Sequence, residues 1–241
     1  MKLLISPKNK EEAIEAIKGG ADIIDVKNPE EGSLGANFPW VINEIKNVTP
    51  RDVEISATIG DFPYLPGTAS LAARGVATLG VDYIKVGLYG IENIDQGIKV
   101  GNAVVKSVKD YDNNIRVVIA GYADYYKINS VGPEIVLKIA QKSKADFFML
   151  DTAIKNNGNL FSHISKSNLR SLVKKAHNIG ILVAVGGSIG KEDIEPLFDT
   201  GVDVIGIRGS VCDENNRLDG KIRMERVMEL KNIIEGMYRK S

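Results

Sequence analysis

The chain is poor in the side chains that form disulfides or bind transition metals. Its 241 residues include one cysteine, Cys212, and two histidines. A single cysteine excludes an internal disulfide and indicates a reducing compartment, so we expect a cytoplasmic protein. No Cys/His cluster with zinc spacing occurs, and no dinucleotide, P-loop or GxSxG motif is present. The sequence therefore predicts no cofactor and no metal site, with a carboxylate-held magnesium ion left open.

Net charge and long apolar runs are also absent. The 31 basic residues balance the 31 acidic ones, so no net field attracts nucleic acid or an anionic membrane. The longest apolar runs have the length of strands, which predicts no transmembrane helix. The amino-terminal segment MKLLISPKNKEEAIEA lacks the apolar stretch of a signal peptide. We therefore expect a small-molecule ligand rather than a nucleic acid or a membrane.

A pattern that occurs four times dominates what is present. Each copy has a helix end made of small residues, then an aspartate, then a short apolar strand. The copies are GGADIIDVK ending at Lys27, LGVDYIKVG containing Lys85, SKADFFMLD ending at Asp151 and TGVDVIGIRG ending at Gly209. Three copies carry a charged residue where the strand ends. In a closed parallel barrel, ionisable residues at the carboxyl ends of strands are typical of a catalytic site.

The whole chain predicts one α/β domain, residues 1–241, folded as a (β/α)8 TIM barrel. Its length is close to the ~250 residues of such a barrel, and strands alternate strictly with amphipathic segments. A closed homo-oligomer is the default assembly. The eight predicted strands are Lys2–Ser6, Ile23–Lys27, Asp52–Thr58, Tyr83–Gly87, Ile115–Gly121, Phe147–Asp151, Ile181–Val185 and Val204–Arg208.

The predicted connections differ in length at the two ends of the strands. Helix-to-strand turns such as GGAD and LGVD are short. Strand-to-helix loops are long and rich in Gly, Pro and Asn, as in Asn28–Trp40, Ile59–Thr68 and Thr152–Ser162. Long loops at one end mark the functional face of a barrel, so we expect the site at the carboxyl ends of the strands.

Two strand-end lysines are the strongest candidates for chemistry. Lys27 follows Asp25 by two residues, so both side chains point to the same face of the strand. Lys85 occupies the matching place two strands later. A buried lysine whose pKa is lowered is suited to Schiff-base chemistry, and a second ammonium group nearby is one way to lower it. The alternative for Lys27 is a side chain that extends from the strand end to solvent.

Other polar residues are weaker candidates for a site at the same end of the barrel. Asp151 ends the sixth predicted strand, where it is either a site carboxylate or a helix N-cap. Lys155 lies in the following loop, and its local sequence alone favours a solvated side chain. Tyr122, Asp124 and Lys127 follow the fifth strand in AGYADYYK, but loop residues of these types are common.

Small residues after the last two strands predict a phosphate site. The loops after strands seven and eight commonly hold phosphate in this fold, because glycines let backbone N–H groups approach the anion. A GGS segment alone is equally consistent with a turn, whereas GGS paired with RGS favours a phosphorylated ligand. The candidate residues are Gly186, Gly187, Ser188, Arg208, Gly209 and Ser210.

Five segments together resemble one known family. They are DIIDVKNPEEGSLGANFPW, PGTASLAARG, DYIKVGLYG, AGYAD and MLDTAIK. They are similar to the (5-formylfuran-3-yl)methyl phosphate synthases, which make the furan precursor of methanofuran in methanogens. The similarity covers essentially the whole chain, and DVKNPEEGSLGANFPW is long and unusual enough to be specific.

The resemblance implies an activity and roles for residues. It implies a lyase that joins two glyceraldehyde 3-phosphate molecules into 4-(hydroxymethyl)-2-furancarboxaldehyde phosphate, with loss of one phosphate and two waters. Lys27 matches the Schiff-base lysine and Lys85 the acid/base lysine, with Asp25, Asp151 and Lys155 in support. The alternatives are another Schiff-base aldolase acting on a phosphosugar, and a barrel that binds a phosphometabolite without catalysis.

Overall fold

The protein, described by a computed structural model for residues 1–155 and 158–239, is a closed barrel of eight parallel strands. This confirms the predicted TIM barrel. The strands are β1 (Lys2–Ile5), β2 (Ile23–Val26), β3 (Glu54–Asp61), β4 (Tyr83–Gly87), β5 (Arg116–Tyr122), β6 (Phe147–Asp151), β7 (Leu182–Val185) and β8 (Val204–Ile207). The helices are α1 (Lys10–Lys18), α2 (Pro39–Val48), α3 (Pro66–Ala77), α4 (Ile94–Lys109), α5 (Pro133–Ser143), α6 (Lys166–Asn178), α7 (Ile194–Phe198) and α8 (Met224–Tyr238).

Each strand pairs with the next one along the chain, and β8 closes on β1 from Lys2 opposite Val204 to Ile5 opposite Ile207. Alternate side chains therefore point into the barrel. One apolar cluster fills the barrel interior, and a larger one lies between the strands and the helices. The inner cluster consists of Leu4, Ile23, Leu34, Tyr83, Val118, Ala120, Tyr122, Phe147, Met149, Ala184 and Val204.

The helices form where the sequence combines a cap with an apolar face. Asn93 caps α4 by accepting a hydrogen bond from the Gln96 amide at 3.0 Å. The buried face of this helix presents Val100, Val104 and Val108, which follow one another at helical spacing. Burial of this face holds the helix against the sheet. None of the helices in the described ranges combines the length and apolarity that crossing a membrane requires.

The aspartate of the fourfold pattern has a structural role at the amino end of the barrel. In each copy the aspartate precedes an even-numbered strand. Its carboxylate accepts a hydrogen bond from a backbone N–H of the preceding odd-numbered strand, with N–O distances of 2.7–2.8 Å. The amides and their acceptors are Leu3 to Asp22, Ile55 to Asp82, Val117 to Asp146 and Val183 to Asp203. Each aspartate thus ties two neighbouring strands together and satisfies an amide that the parallel ladder leaves unpaired.

The strand boundaries differ from the predicted ones mainly at β3. The predicted strand ends at Thr58 and the predicted loop begins at Ile59, but β3 runs on to Asp61. A register shift between Thr58 and Asp61, with Gly60 at a φ of +96°, lets the strand continue beside β4. Asp61 is thereby placed opposite Gly87 at the carboxyl end of the barrel.

Candidate active site

A cavity of about 1060 Å³ opens at the carboxyl ends of the strands, between the loops that follow β2, β6, β7 and β8. The structure brings most of the sequence-predicted site residues to its wall. These are Lys27, Asp151, Lys155, Gly187, Ser188, Arg208, Gly209 and Ser210. Asp25, Lys85 and Gly186 do not line it. Within the described ranges, no three His, Cys, Asp or Glu side chains gather in a group able to hold a metal ion.

Lys27 is buried just beyond the end of β2, with only 8% of its surface exposed. Burial is the largest cause that lowers its pKa, from 10.5 to about 7. The carboxylates of Asp151 and Asp25 oppose this change, while the ammonium groups of Lys155 and Lys85 reinforce it. A solvent-extended Lys27 is therefore inconsistent with the structure. A far larger share of the amine is therefore neutral at pH 7 than the ~0.03% of an ordinary lysine.

Asp25 and Lys85 form a buried ion pair deeper in the barrel. The Lys85 Nζ atom lies 2.6 Å from Asp25 Oδ1, and neither side chain is more than 2% exposed. Ser6 donates a hydrogen bond to the other Asp25 carboxylate oxygen at 3.0 Å. Burial alone would raise the pKa of Asp25, but the charges of Lys85 and Lys27 outweigh it and hold this pKa below its usual range. Asp25 is thus a carboxylate that faces two amines.

Asp151 and Lys155 form a second ion pair at the cavity wall, 2.5 Å apart. Asp151 also accepts the Thr152 amide at 2.7 Å. Burial would raise the pKa of Asp151, but Lys155 and Lys27 lower it to about 2. The loop that carries Lys155 is held by the buried Asp124, which accepts the amides of Ala153 and Ile154 at 2.8 and 2.9 Å. Lys155, which local sequence leaves solvated, is therefore fixed beside Asp151.

The loop after β2 folds over the other half of the mouth. Its Leu34 is fully buried in the inner apolar cluster, and the Leu34 carbonyl accepts a hydrogen bond from Thr58 at 2.8 Å. Ser33 donates to the Thr152 carbonyl at 2.9 Å, which joins this loop to the one after β6. These contacts fix the segment between Lys27 and α2.

The loops after β7 and β8 have the geometry of an anion cradle. Gly187 and Ser188 have φ values of +110° and +50°. Among the described residues, no acceptor takes the amides of Gly187, Ser188 or Gly209. Successive free amides in such a conformation bind anions. The Ser210 hydroxyl donates instead to the Ile189 carbonyl, which joins the two loops.

Two of the predicted phosphate residues are engaged elsewhere. The Gly186 amide donates to the Leu150 carbonyl at 2.7 Å. Arg208 is 5% exposed and pairs with both carboxylate oxygens of Glu12, at 2.6 and 3.2 Å. Its charge is thus already matched, and a phosphate contact from Arg208 stays a prediction.

A third polar pair lies at the mouth. The hydroxyl of Tyr122, at the end of β5, donates to the Asp61 carboxylate. Tyr122 stands in register with Asp151 on the neighbouring strand. Burial raises the pKa of both members of the pair. Gly87 leaves room for them, because a Cβ atom there would overlap the Asp61 carboxylate and lie 3.0 Å from the tyrosine oxygen.

Sequence reasoning named Tyr122 but missed Asp61, which fell in a predicted loop. No local signal would have found it, because strict alternation puts Asp61 on the helix-facing side with Ala57 and Ile59 of the larger apolar cluster. Only the register shift after Thr58 brings it to Tyr122. Asp124, also named, holds the loop after β6 instead of facing the cavity. Lys127 is exposed above the ring of Tyr126. Arg217, which lines the cavity, had no local signal.

A closed (β/α)8 barrel with a large cavity at the carboxyl ends of its strands, and with ionisable side chains on the wall of that cavity, has the architecture of a barrel enzyme. Residues 3–231 match the sequence profile of the 4-HFC-P synthase family. The chain belongs to this family.

Two relatives illustrate the similarity. The chain is 52% identical over 235 residues to the (5-formylfuran-3-yl)methyl phosphate synthase of Methanobrevibacter smithii, covering 98% of this chain and 99% of that one. It is 54% identical over 235 residues to the protein of the same name from Methanococcus aeolicus, covering 98% and 100%. Phosphoribosyl anthranilate isomerase from Thermus thermophilus superposes with a TM-score of 0.65 at 15% identity, covering 98% of this chain and 100% of that one. This last likeness concerns the fold alone.

Proposed function

We propose that this enzyme condenses two molecules of glyceraldehyde 3-phosphate into 4-(hydroxymethyl)-2-furancarboxaldehyde phosphate, in the synthesis of methanofuran. One phosphate and two waters are released. The observation that carries the proposal is Lys27, a buried amine whose pKa is lowered to about 7 beside a large cavity. The names of the relatives and the phosphate-suited loops support the choice of product and substrate.

The first step is covalent capture of one triose phosphate. Neutral Lys27 attacks the aldehyde carbon, and loss of water from the carbinolamine gives an iminium ion. The positive charge of the iminium forms between Asp25 and Asp151, the two carboxylates that act on Lys27 electrostatically. Both carboxylates have lowered pKa values and remain ionised at neutral pH. They therefore stabilise a charge that appears during the reaction.

The second step forms the carbon–carbon bond. The iminium acidifies the neighbouring C–H group, and removal of that proton gives an enamine. The enamine carbon, which is C2 of the captured triose, forms a bond to C3 of the second triose, and phosphate leaves from that C3 atom. We assign the proton transfers to two groups of residues. Lys85 acts from the barrel interior, and the pair of Asp151 and Lys155 acts from the cavity wall. In the barrel interior, the 2.6 Å contact between Lys85 and Asp25 places a proton donor next to a proton acceptor.

The remaining steps form the furan ring. The C2 oxygen of the second triose closes the ring on the former iminium carbon, the Lys27 amine leaves from that carbon, and loss of the C2 hydroxyl of the captured triose as the second water gives the aromatic product. Two phosphate groups enter and one stays on the product, so the site has to hold two anions before elimination. The free amides after β7 and β8 supply one anion site.

Borohydride trapping tests this proposal. The protein is incubated with glyceraldehyde 3-phosphate and reduced, the modified peptide is mapped by mass, and the unreduced product is followed by near-ultraviolet absorbance. We expect a triose adduct on Lys27 and a conjugated furan aldehyde. An adduct on Lys85 would exchange the roles of the two lysines. An adduct with a non-absorbing product would favour the aldolase alternative, and a folded protein that gives neither would refute the proposal.

A further inference from the structure

Arg217 is a guanidinium on the cavity wall that has no countercharge in the protein. It lies in the segment between β8 and α8 and is partly buried. It donates one hydrogen bond, to the Gly32 carbonyl at 3.0 Å. No carboxylate within the described ranges lies at ion-pair distance from it.

Apart from Lys27, whose pKa is lowered by burial, the other long cations of the same wall are paired with carboxylates. Lys155 pairs with Asp151, and Lys191 pairs with Glu229. Arg208 pairs with Glu12. Asp219, which also lines the cavity, accepts from Asn216 at 3.2 Å instead. Arg217 therefore differs from its neighbours in having donors and charge available.

The physical chemistry of this position favours an anion. Burial lowers the pKa of Arg217, while the field of Asp151 opposes that change. A guanidinium nevertheless stays charged in proteins, so its partial burial is unfavourable unless an opposite charge arrives. Its planar fork matches the oxygens of a phosphate, and four N–H bonds remain after the one to Gly32.

The Cβ atom of Arg217 lies against the turn after β8, 3.9 Å from where a Cβ atom of Gly209 would be, but its guanidinium extends to the loop after β2. The free amides belong to the turns that directly follow β7 and β8. Arg217 instead reaches the loop after β2, which begins beside Lys27. We infer that Arg217 binds the second phosphate group, on the side of the cavity nearest the loop of Lys27. This inference rests on the proposed function, which requires two phosphorylated substrates at once.

Inorganic phosphate is the first probe, because its binding does not depend on any substrate being correct. Calorimetric titration is run on the intact protein, on Arg217→Gln and on Lys191→Gln. Glutamine keeps a donor for the Gly32 carbonyl but has no charge. We expect two phosphates per wild-type chain, and a loss of roughly 10- to 100-fold in affinity at one of them in Arg217→Gln. Lys191→Gln, which removes a matched cation from the same wall, should retain both.

Equal losses in the two variants would mean that only the overall charge of the cavity matters, and would overturn the assignment. Unchanged binding in Arg217→Gln would overturn it as well. Arg217→Lys should recover part of the affinity, because it restores charge without the fork. Circular dichroism spectra and thermal unfolding curves confirm that each variant is folded.

Glyceraldehyde 3-phosphate is the second probe, used in a Lys27→Ala background that prevents turnover. We expect two molecules per chain with Arg217 present and one when Arg217→Gln is added. If phosphate binding depends on Arg217 but the triose phosphate does not bind, the proposed substrate is wrong and the anion site stands. If two triose phosphates bind with or without Arg217, the proposed substrate survives and the Arg217 assignment fails.

Discussion

Replacing Lys27 by Met should make the protein more stable at neutral pH while abolishing the proposed Schiff-base chemistry. The wild-type amine is buried at 8% exposure, and its pKa is lowered from 10.5 to about 7. Between pH 7 and pH 10.5, the Lys27 amine is protonated in the unfolded chain but largely neutral in the folded protein. Stability contributed by this site therefore rises with pH across that window, and it is lowest below pH 7.

The magnitude follows from the difference between the two pKa values. Each pH unit corresponds to about 1.4 kcal/mol, so the full penalty below pH 7 is about 5 kcal/mol. Between pH 7.5 and pH 9.5, the wild-type protein should recover about 2–3 kcal/mol of it. Methionine has similar length and no charge, and it packs adaptably, so the variant has no such recovery. The carboxylates near Lys27 keep their other partners, Lys85 and Lys155.

The assay is urea unfolding at the two pH values, followed by circular dichroism, for wild type and Lys27→Met. The quantity to compare is the change in unfolding free energy between the two pH values, because the other titrating groups are shared and cancel. Lys142→Met makes the same chemical change at an exposed position and should follow the wild type. If wild type and Lys27→Met gain equally between pH 7.5 and 9.5, the amine is not held at a lowered pKa and the reasoning is wrong.

Two further predictions concern glycine positions and the amino end of the barrel. Gly87→Ala should displace the Asp61 carboxylate, lower the free energy of unfolding by about 1–3 kcal/mol and reduce turnover. Gly75→Ala, on an open helix face, should instead raise the free energy of unfolding by ~0.5–1 kcal/mol. Urea unfolding and product absorbance measure both, and unaltered turnover in Gly87→Ala would remove Asp61 from the site. Asp82→Ala should lower the free energy of unfolding by about 1–2 kcal/mol, because the Ile55 amide loses its acceptor. Turnover should be retained, because Asp82 lies at the amino end of the barrel. Loss of turnover in a folded variant would contradict this division of roles.

The fold was readable from the sequence because its signals are local and repeated. Buried parallel strands give continuous apolar runs, and the small residues before each aspartate mark where a helix ends. The same pattern identified the end of the barrel that carries the long loops, and thus Lys27 and Asp151 as mouth residues. What the pattern could not show is that its aspartates tie strands together at the opposite end.

The barrel and the strand ends that carry amines and carboxylates could be predicted from the sequence, because strand periodicity is a property of neighbouring residues. Only the tertiary structure decided the charge state of Lys27, because its pKa depends on exclusion of water and on charges from other strands. It also decided which cations are matched. Arg208 meets Glu12 across 196 positions of chain, whereas Arg217 meets no carboxylate within the described ranges. Such pairings depend on distance in space, which no local pattern encodes.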